Sequence, residues 1–258
     1  MSFVLSLQSE MLKTKRTASV WMSIAAAVLI PAFFFFAYLF KADEVIPYLK
    51  SPWKFHFGLG WKVASVIFLP MYIILICALI PQIEFRNNTW KQVYSLPQSI
   101  GQIFFSKFLV VQLMILFCYS LFVICMIFLP VLNTVINNKF PFLDNPVPWD
   151  LFMRLSIKIY ISILGISALQ FWLSLRFKSF IGPIGIGIGL YIASGLLVDL
   201  QWKYANLIPF SHVSNALLSL REKPNAPLIE SQEWCSIGYF LFFTLIGYLD
   251  LKFRNEKC

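Results

Sequence analysis

The stretch that decides the fold is VWMSIAAAVLIPAFFFFAYLF, residues 20–40, in which no side chain carries a charge. The hydrocarbon core of a bilayer is about 30 Å thick, so a helix rising about 1.5 Å per residue needs roughly 20 apolar residues to cross it. A membrane-spanning β-strand would instead show about ten residues of alternating polarity. Residues 20–40 therefore predict a transmembrane α-helix.

Outward from this stretch, the chain contains five more apolar runs of similar length. They are residues 63–83, 108–129, 155–175, 180–200 and 235–251. Of the 258 residues, 59% are hydrophobic and 13% are charged, whereas soluble domains carry about 25% charged residues. This composition excludes a soluble globular enzyme and a disordered chain. We predict an all-α polytopic membrane protein, with residues 1–258 forming a single transmembrane domain of six helices.

Residues 1–19 precede the first span and have the spacing of an amphipathic interfacial helix. Apolar residues share one helical face, and polar residues lie opposite. The apolar face holds Phe3, Val4, Leu7 and Met11, and the polar face holds Ser6, Ser9, Glu10 and Lys13. The alternative is an extension of the first span that basic residues anchor at the membrane surface.

Residues 201–234 form the last long loop. Their moderately apolar core, residues 205–220, is too short and too polar to cross a bilayer. We predict a re-entrant or interfacial helical hairpin, with an external surface helix as the alternative. Irregular backbone inside a membrane requires cover from protein or a water-filled cavity.

The basic residues predict which side of the membrane holds the termini. Six spans put both termini on one side, which we call the termini side; the other is the opposite side. Lys and Arg are denser on the termini side, about 11 in roughly 57 residues against about 10 in roughly 84, as is typical of cytoplasmic segments. We expect both termini in the cytoplasm. The net charge of +9 suits an anionic membrane surface better than nucleic acid.

Residues typical of catalysis or metal binding are sparse. His56 and His212 lie far apart in the sequence without acid clusters beside them, and the five cysteines show no CxxC spacing. Ser211 adjoins His212, but adjacent side chains seldom orient as nucleophile and base. We therefore expect no metal site, no cofactor bound to this chain and no enzymatic activity of its own.

Few polar residues fall inside the predicted spans. Gln170 lies within the fourth span, whereas Lys158, Asp199 and Asp250 lie near ends from which side chains are expected to reach the interface. An ion-coupled carrier needs ionisable residues deep in its spans. The sequence instead favours a pathway for amphipathic or lipid-like cargo.

Glycines cluster in the fifth span, where Gly185 and Gly189 form a GxxxG step and Gly182 lies about one turn earlier. Small residues let helix backbones approach closely in lipid. Two uses stay open at this point. The glycines belong to a subunit interface or a flexible pore-lining helix, or they pack against another helix of the same subunit.

The segment between the second and third spans has the pattern of a structured loop. Asn88 or Thr89 can cap a short helix that ends before Pro97. Ser99 and Gln102 then have the spacing of a capping box, which begins the next helix.

On this short helix, Trp90, Val93 and Tyr94 project from one side, with Lys91 beside them. A two-turn helix is not stable alone in water, so its aromatic face must be covered. Two covers fit the residues: a groove in a cytoplasmic partner or the lipid headgroup region.

This segment resembles the signature between the second and third spans of ABC-2 type exporter permeases, especially the lantibiotic-immunity and multidrug branch. The resemblance rests on Glu84, Thr89, Trp90, Lys91, Leu96, Pro97 and Lys107. It extends to the six spans, the basic amphipathic N-terminus and the long apolar loop before the last span. One departure is Ser99-Ile100-Gly101, where many relatives carry basic residues.

The resemblance implies that residues 84–107 form a cytoplasmic coupling loop, whose helix fits a cleft in a separate ATPase. It also implies that residues 201–234 form re-entrant helices near the outer exit. The implied docking residues are Glu84, Arg86, Thr89, Trp90, Lys91, Val93, Tyr94, Leu96 and Pro97.

The expected function is that of a permease subunit that exports amphipathic or lipid-like cargo, such as a peptide, a drug or a lipid-linked molecule. The chain has no GxxxxGK[ST] motif, so ATP and Mg²⁺ are expected on the ATPase. The expected partners are two ATPase copies, a second permease subunit of the same or a sister chain, and lipid of a bacterial inner membrane. The alternative is an ion-coupled carrier or a membrane scaffold for a cytoplasmic protein.

Overall fold

The computed structural model of the chain describes residues 3–15, 17–42, 51–86, 98–137, 140–222 and 227–255. Within these ranges the regular structure is helical throughout. The helices are α1 (Phe3–Lys15), α2 (Ala18–Phe40), α3 (Pro52–Arg86), α4 (Ile100–Ile136), α5 (Trp149–Arg176), α6 (Ile181–Asp199), α7 (His212–Glu222) and α8 (Ser231–Asn255). A π-helical turn, Ala64–Phe68, interrupts α3, and two 3-10 turns, Ala205–Leu207 and Pro209–Ser211, precede α7.

Six of these helices are long and apolar enough to cross a membrane. They are α2, α3, α4, α5, α6 and α8, and each contains most or all of one predicted apolar run. The predicted all-α fold with six spans is therefore confirmed.

The second spanning helix, α3, begins earlier than predicted. The second apolar run, residues 63–83, predicts a helix that begins near residue 63, but residues 52–62 form the first three turns of α3. Pro52 occupies the start of the helix, where its missing N–H is not needed. Trp53, Phe57 and Trp61 then recur every four residues and are all buried. This aromatic stripe packs the early turns against the bundle.

The third spanning helix, α4, extends past Pro130, where the sequence predicted its end. Pro130 has no N–H to donate to the Met126 carbonyl, and His56 Nε2 of α3 lies 3.1 Å from that carbonyl oxygen in its place. Beyond the proline, Asn133 Nδ2 donates to the Phe35 carbonyl of α2 at 3.0 Å. Packed membrane helices tolerate proline because neighbouring groups satisfy the freed backbone atoms. α4 therefore continues to Ile136.

The centre of the bundle is formed by α3 and α5, whose apolar windows are each 61% buried, whereas those of α6 and α8 are 17% buried. The helix α8 runs along α5 in close contact. There the Gly165 N–H donates to Ser236 Oγ at 3.0 Å. A Cβ at Gly165 would lie 3.1 Å from the Ser236 carbonyl oxygen, so only glycine fits without a shift.

The amphipathic helix predicted at the N-terminus is present as α1, and its polar face contacts the protein. Ser6, Glu10 and Thr14 are buried, while Val4 and Leu12 are exposed. This arrangement leaves an apolar face for lipid, as an interfacial helix requires.

The segment predicted as a re-entrant hairpin contains the two 3-10 turns and α7. His212, Val213 and Ala216 of α7 are fully buried against the bundle. A segment inside the membrane needs such contact with protein. That residues 201–234 enter the membrane stays a prediction.

Candidate functional site

A buried ion cluster joins three helices on the termini side. Lys107 Nζ contacts Glu84 Oε1 and lies 2.7 Å from Glu10 Oε2. Lys13 Nζ lies 2.6 Å from Glu10 Oε1 and 3.0 Å from Glu84 Oε1. The side chains of Lys107 and Glu84 are 1% and 2% exposed. We call these four residues, Glu10, Lys13, Glu84 and Lys107, the base cluster.

The positions of these residues follow from their helices. In α1, Ser6, Glu10 and Thr14 are spaced by four, so they lie on one face. This face meets α4, where Ser6 Oγ donates to Ser106 Oγ at 3.0 Å. Glu84 lies in the last turn of α3, and Lys107 lies in the second turn of α4. The base cluster therefore holds the two helices that flank residues 87–97 and ties both to α1.

Neighbouring charges favour the ionised forms of Glu10 and Lys13, the two residues of the base cluster that lie on α1. Burial by itself would raise the pKa of Glu10, but Lys107 and Lys13 outweigh burial and lower that pKa. Burial also opposes the charge on Lys13, yet the carboxylates of Glu10 and Glu84 raise the pKa of Lys13. Removing one partner from a buried pair typically costs about 3–5 kcal/mol, because the other charge is left uncompensated. The cluster thus links α1, α3 and α4 through buried ion pairs.

The structure places only part of the predicted docking segment. Glu84 is buried in the base cluster, and Arg86 is the exposed last residue of α3. The remaining predicted docking residues lie outside the described residues; they are Thr89, Trp90, Lys91, Val93, Tyr94, Leu96 and Pro97. The predicted capping box is confirmed at the start of α4. Ser99 Oγ accepts from the Gln102 N–H at 3.2 Å, and Gln102 Oε1 accepts from the Ser99 N–H at 3.1 Å.

A cavity of about 670 Å³ lies between α3, α5, α6 and α7 at their opposite-side ends. Its size falls in the range of ligand pockets, about 300–1,000 Å³. Much of its wall is apolar and includes Phe55, Leu59 and Phe210. Its charged lining residues are Lys54, Lys62 and Asp199. The end of the cavity farthest from Lys54 lies at the π-helical turn of α3, where the Tyr191 hydroxyl donates to the Val66 carbonyl.

A second buried ion cluster lies near the start of α8. Lys158 Nζ is 2.7 Å from Glu230 Oε2 and 3.7 Å from Glu233 Oε2. The expectation that Lys158 reaches the membrane interface is wrong, because its side chain is fully buried. The two carboxylates neutralise it inside the protein, as buried charges require.

The glycines of α6 behave differently from one another. A Cβ at Gly187 would lie 2.6 Å from Gln170 Oε1, so α5 and α6 approach closely there. A Cβ at Gly182 would meet the Phe177 ring at 3.3 Å, whereas at Gly185 and Gly189 it would meet no described atom within 4 Å. Gly187 is therefore the glycine that allows α5 and α6 to pack closely within one subunit. The sequence analysis did not identify Gly187 as a packing residue. A subunit interface at Gly185 and Gly189 stays a prediction.

His56 contributes to the packing of the bundle. His56 is buried, and its ring nitrogens lie 2.9 Å from the Tyr38 hydroxyl and 3.1 Å from the Met126 carbonyl oxygen. The described ranges contain no group of three or more His, Cys, Asp or Glu side chains that could hold a metal ion.

Sequence reasoning also missed the two ion clusters. The four-residue spacing of Ser6, Glu10 and Thr14 within an otherwise apolar helix was a usable signal for an inward polar face. For the second cluster, the signal was the pair Glu230 and Glu233, spaced by three immediately before an apolar run. Neither pattern names its partner, since Lys107 and Lys158 lie far away along the chain.

A sequence profile of the ABC-2 family transporter proteins matches residues 6–194, from α1 into α6. The matched range includes the whole base cluster and both helices that flank residues 87–97. No curated protein and no solved structure gives a significant match. The profile covers most of the chain, and the six spanning helices agree with a membrane transport subunit. The chain therefore belongs to the ABC-2 transporter family.

Proposed function

We propose that this ABC-2 permease moves amphipathic or lipid-like cargo outward, driven by a separate ATPase that docks on residues 84–97. The ATPase, present in two copies, would hold ATP and Mg²⁺. A second permease subunit, the same chain or a sister chain, would complete the transporter in a bacterial inner membrane, with both termini in the cytoplasm. The observation that best supports docking at this place is the base cluster, which joins the two helices that precede and follow residues 87–97.

The base cluster suits the transmission of force. If the helix ends beside the docking segment were loosely held, a force from the docked ATPase would only bend them locally. Here Glu84 of α3, Lys107 of α4 and Glu10 of α1 are bonded together in a buried site. A push on the segment would therefore tilt the three helices together as a rigid body, which is a common form of switching movement.

The helix α3 connects the two ends of the proposed mechanism. It contains 35 residues, which span about 52 Å at a rise of about 1.5 Å per residue. Glu84 lies in its last turn, and the cavity-lining Lys54 and Lys62 lie in its first turns. Tilting α3 would move the cavity wall whenever the docking segment moves.

The test is to replace the predicted docking aromatics, Trp90→Ala with Tyr94→Ala, and to purify the tagged full chain gently from its native membrane. Truncating aromatic hot-spot residues commonly costs about 2 kcal/mol or more, so we expect ATPase association to weaken about 30-fold or more. ATP hydrolysis by the purified sample should fall with it, while the permease still inserts into the membrane.

The matched control is Trp202→Ala with Tyr204→Ala, an exposed Trp and Tyr pair on the opposite side, which should retain the ATPase. Unchanged association and transport in the Trp90 and Tyr94 variant would refute docking at this segment. If the wild-type chain is stable and never co-purifies with an ATPase, the ion-coupled carrier or the scaffold becomes the better explanation.

A further inference from the structure

We propose that the cavity between α3, α5, α6 and α7 binds an anionic amphiphile, whose headgroup contacts Lys62 and Lys54 and whose apolar part lies along the cavity wall. This inference deepens the proposed function, on which it rests for the step from binding to transport, by naming the chemical class of the cargo. The binding itself is a property of this chain alone.

The first argument is the shape and chemistry of the wall. Gly58 of α3 and Gly195 of α6 both line the cavity, and a Cβ at either would meet no described atom within 4 Å. A side chain added at either glycine would therefore enter unfilled space at the cavity wall. Apolar side chains such as Leu59, Leu155 and Phe210 surround it. A space of this kind favours an apolar chain or ring over a small soluble ion.

The second argument is uncompensated positive charge. Lys54 and Lys62 are exposed, and no described carboxylate lies within 4 Å of either ammonium group. Eight residues separate them, which is about 12 Å along the helix. Lys62 directly precedes the apolar run 63–83, and charged headgroups are expected at the level where an apolar run ends. Ammonium groups at this level are suitable donors to a phosphate or carboxylate.

The third argument concerns Asp199, whose carboxylate also lines the cavity. The helices α3 and α6 run in opposite directions, so Asp199 at the end of α6 lies at the same end of the cavity as Lys54. Its charge weakens the attraction of an anion to Lys54, so Lys62 would be the stronger of the two headgroup contacts. Two lysines against one aspartate still leave the lining with a net positive charge.

The first experiment measures lipid binding to the full chain by native mass spectrometry. The probes are dioleoyl phosphatidylglycerol, which is anionic, dioleoyl phosphatidylcholine, which is zwitterionic, and uncharged dioleoylglycerol. We expect phosphatidylglycerol to bind most tightly. Lys54→Gln with Lys62→Gln should weaken its binding at least about tenfold, because charge-assisted contacts are lost, and should leave dioleoylglycerol unchanged.

Removing the negative charge of Asp199 should change phosphatidylglycerol binding in the opposite direction to removing the two lysines. Asp199→Asn should strengthen phosphatidylglycerol binding by about twofold to fivefold. The matched control for charge is Lys178→Gln with Lys252→Gln, two exposed lysines on the termini side, which should bind as wild type. If the Lys54 and Lys62 variant retains full preference for phosphatidylglycerol, the headgroup assignment is overturned.

A second pair of variants tests the cavity without touching its charges. Gly58→Leu and Gly195→Leu each place a side chain in the open space of the cavity, so both should weaken binding of all three lipids at least about tenfold. Gly238→Leu on α8 also meets open space and lies outside the cavity lining, so it should bind as wild type. Equal binding by the Gly58, Gly195 and Gly238 variants would overturn the assignment of the site.

ATP turnover by the complete transporter distinguishes whether the bound amphiphile is cargo or a resident lipid. If phosphatidylglycerol stimulates ATP hydrolysis and Gly58→Leu abolishes the stimulation, the occupant is cargo. If the lipid stays bound at constant stoichiometry during turnover, the occupant is a resident lipid. Both results support the binding site. Absence of any ATPase partner would refute the proposed function and leave the binding measurement intact.

Discussion

At the scale of single residues, the ammonium group of Lys107 decides whether two buried carboxylates are tolerated on the termini side. Glu10 and Glu84 both contact it, and Lys13, which also pairs with them, is one-third exposed. The resemblance to known permeases drew attention to Glu84 and Lys107. It could not predict the cluster, because Glu10 comes from a helix whose polar face has no identifiable partner in the sequence.

We predict that Lys107→Met destabilises the protein by about 3–5 kcal/mol, because it leaves Glu10 and Glu84 buried with Lys13 alone. The measurement is the thermal unfolding midpoint of the detergent-solubilised chain. Asp150→Asn is the control, since Asp150 is 80% exposed in its ion pair with Arg154, and exposed pairs contribute about 0–1 kcal/mol.

A charge effect can be separated from a packing effect in the same series. Adding Glu84→Gln to Lys107→Met removes one stranded carboxylate and should restore part of the lost stability. A Lys107→Met variant as stable as Asp150→Asn would show that the base cluster contributes little to folding.

At the scale of elements, the sequence predicted which segments are helices better than where those helices end. Apolar length alone identifies a span, since lipid imposes it. The ends depend on tertiary contacts instead. Trp53, Phe57 and Trp61 extend α3 toward its start because they find aromatic neighbours in other elements. The helix α4 continues past Pro130 because His56 Nε2 lies 3.1 Å from the Met126 carbonyl oxygen, which the proline leaves without an N–H.

The contact between α5 and α6 gives a prediction at this scale. Gly187→Ala places a Cβ 2.6 Å from Gln170 Oε1, so the helices must separate or the Gln170 amide must leave the Pro183 carbonyl. Overpacking of this kind typically costs about 1–3 kcal/mol. A lowered unfolding midpoint is the expected result.

Gly185→Ala is the matched control, since it lies on the same helix where a Cβ meets open space. Alanine is favoured over glycine in a helix interior by about 0.5–1 kcal/mol, so this variant should be as stable as wild type or more stable. Equal midpoints for the two alanine variants would contradict close packing at Gly187.

At the scale of the whole molecule, the number and order of the spans could be predicted, whereas their side-by-side arrangement could not. Lipid-facing and protein-facing sides of a spanning helix are both apolar, so hydrophobic periodicity does not tell them apart. The cavity illustrates the limit. In the sequence, Lys54 and Lys62 precede the second apolar run and Asp199 lies near the end of the fifth. Only the packing of α3 beside α6 and α7 brings the three residues to one space.

Six spans with both termini in the cytoplasm predict opposite exposure for two surface positions. In a cysteine-free variant, Asp144→Cys should react with a membrane-impermeant maleimide in intact cells, and Ser179→Cys should react only after permeabilisation. Both side chains are exposed, and one spanning helix, α5, separates them. Reversed labelling would place the termini outside and would rule out a cytoplasmic ATPase at residues 84–97.

The inward-facing polar stripe of α1 also bears on how the chain is made. Lys107 follows Glu10 by 97 residues, and ribosomes add about 5–20 residues per second, so Glu10 is synthesised roughly 5–20 s before its partner. During that interval Glu10 has Lys13 of its own helix as a partner, and Lys107 does not yet exist. Closure of the ion pair then requires that the second and third spans have entered the bilayer correctly. The complete base cluster therefore forms only after α1, α3 and α4 have all been synthesised, so it is among the later contacts of the N-terminal half to form.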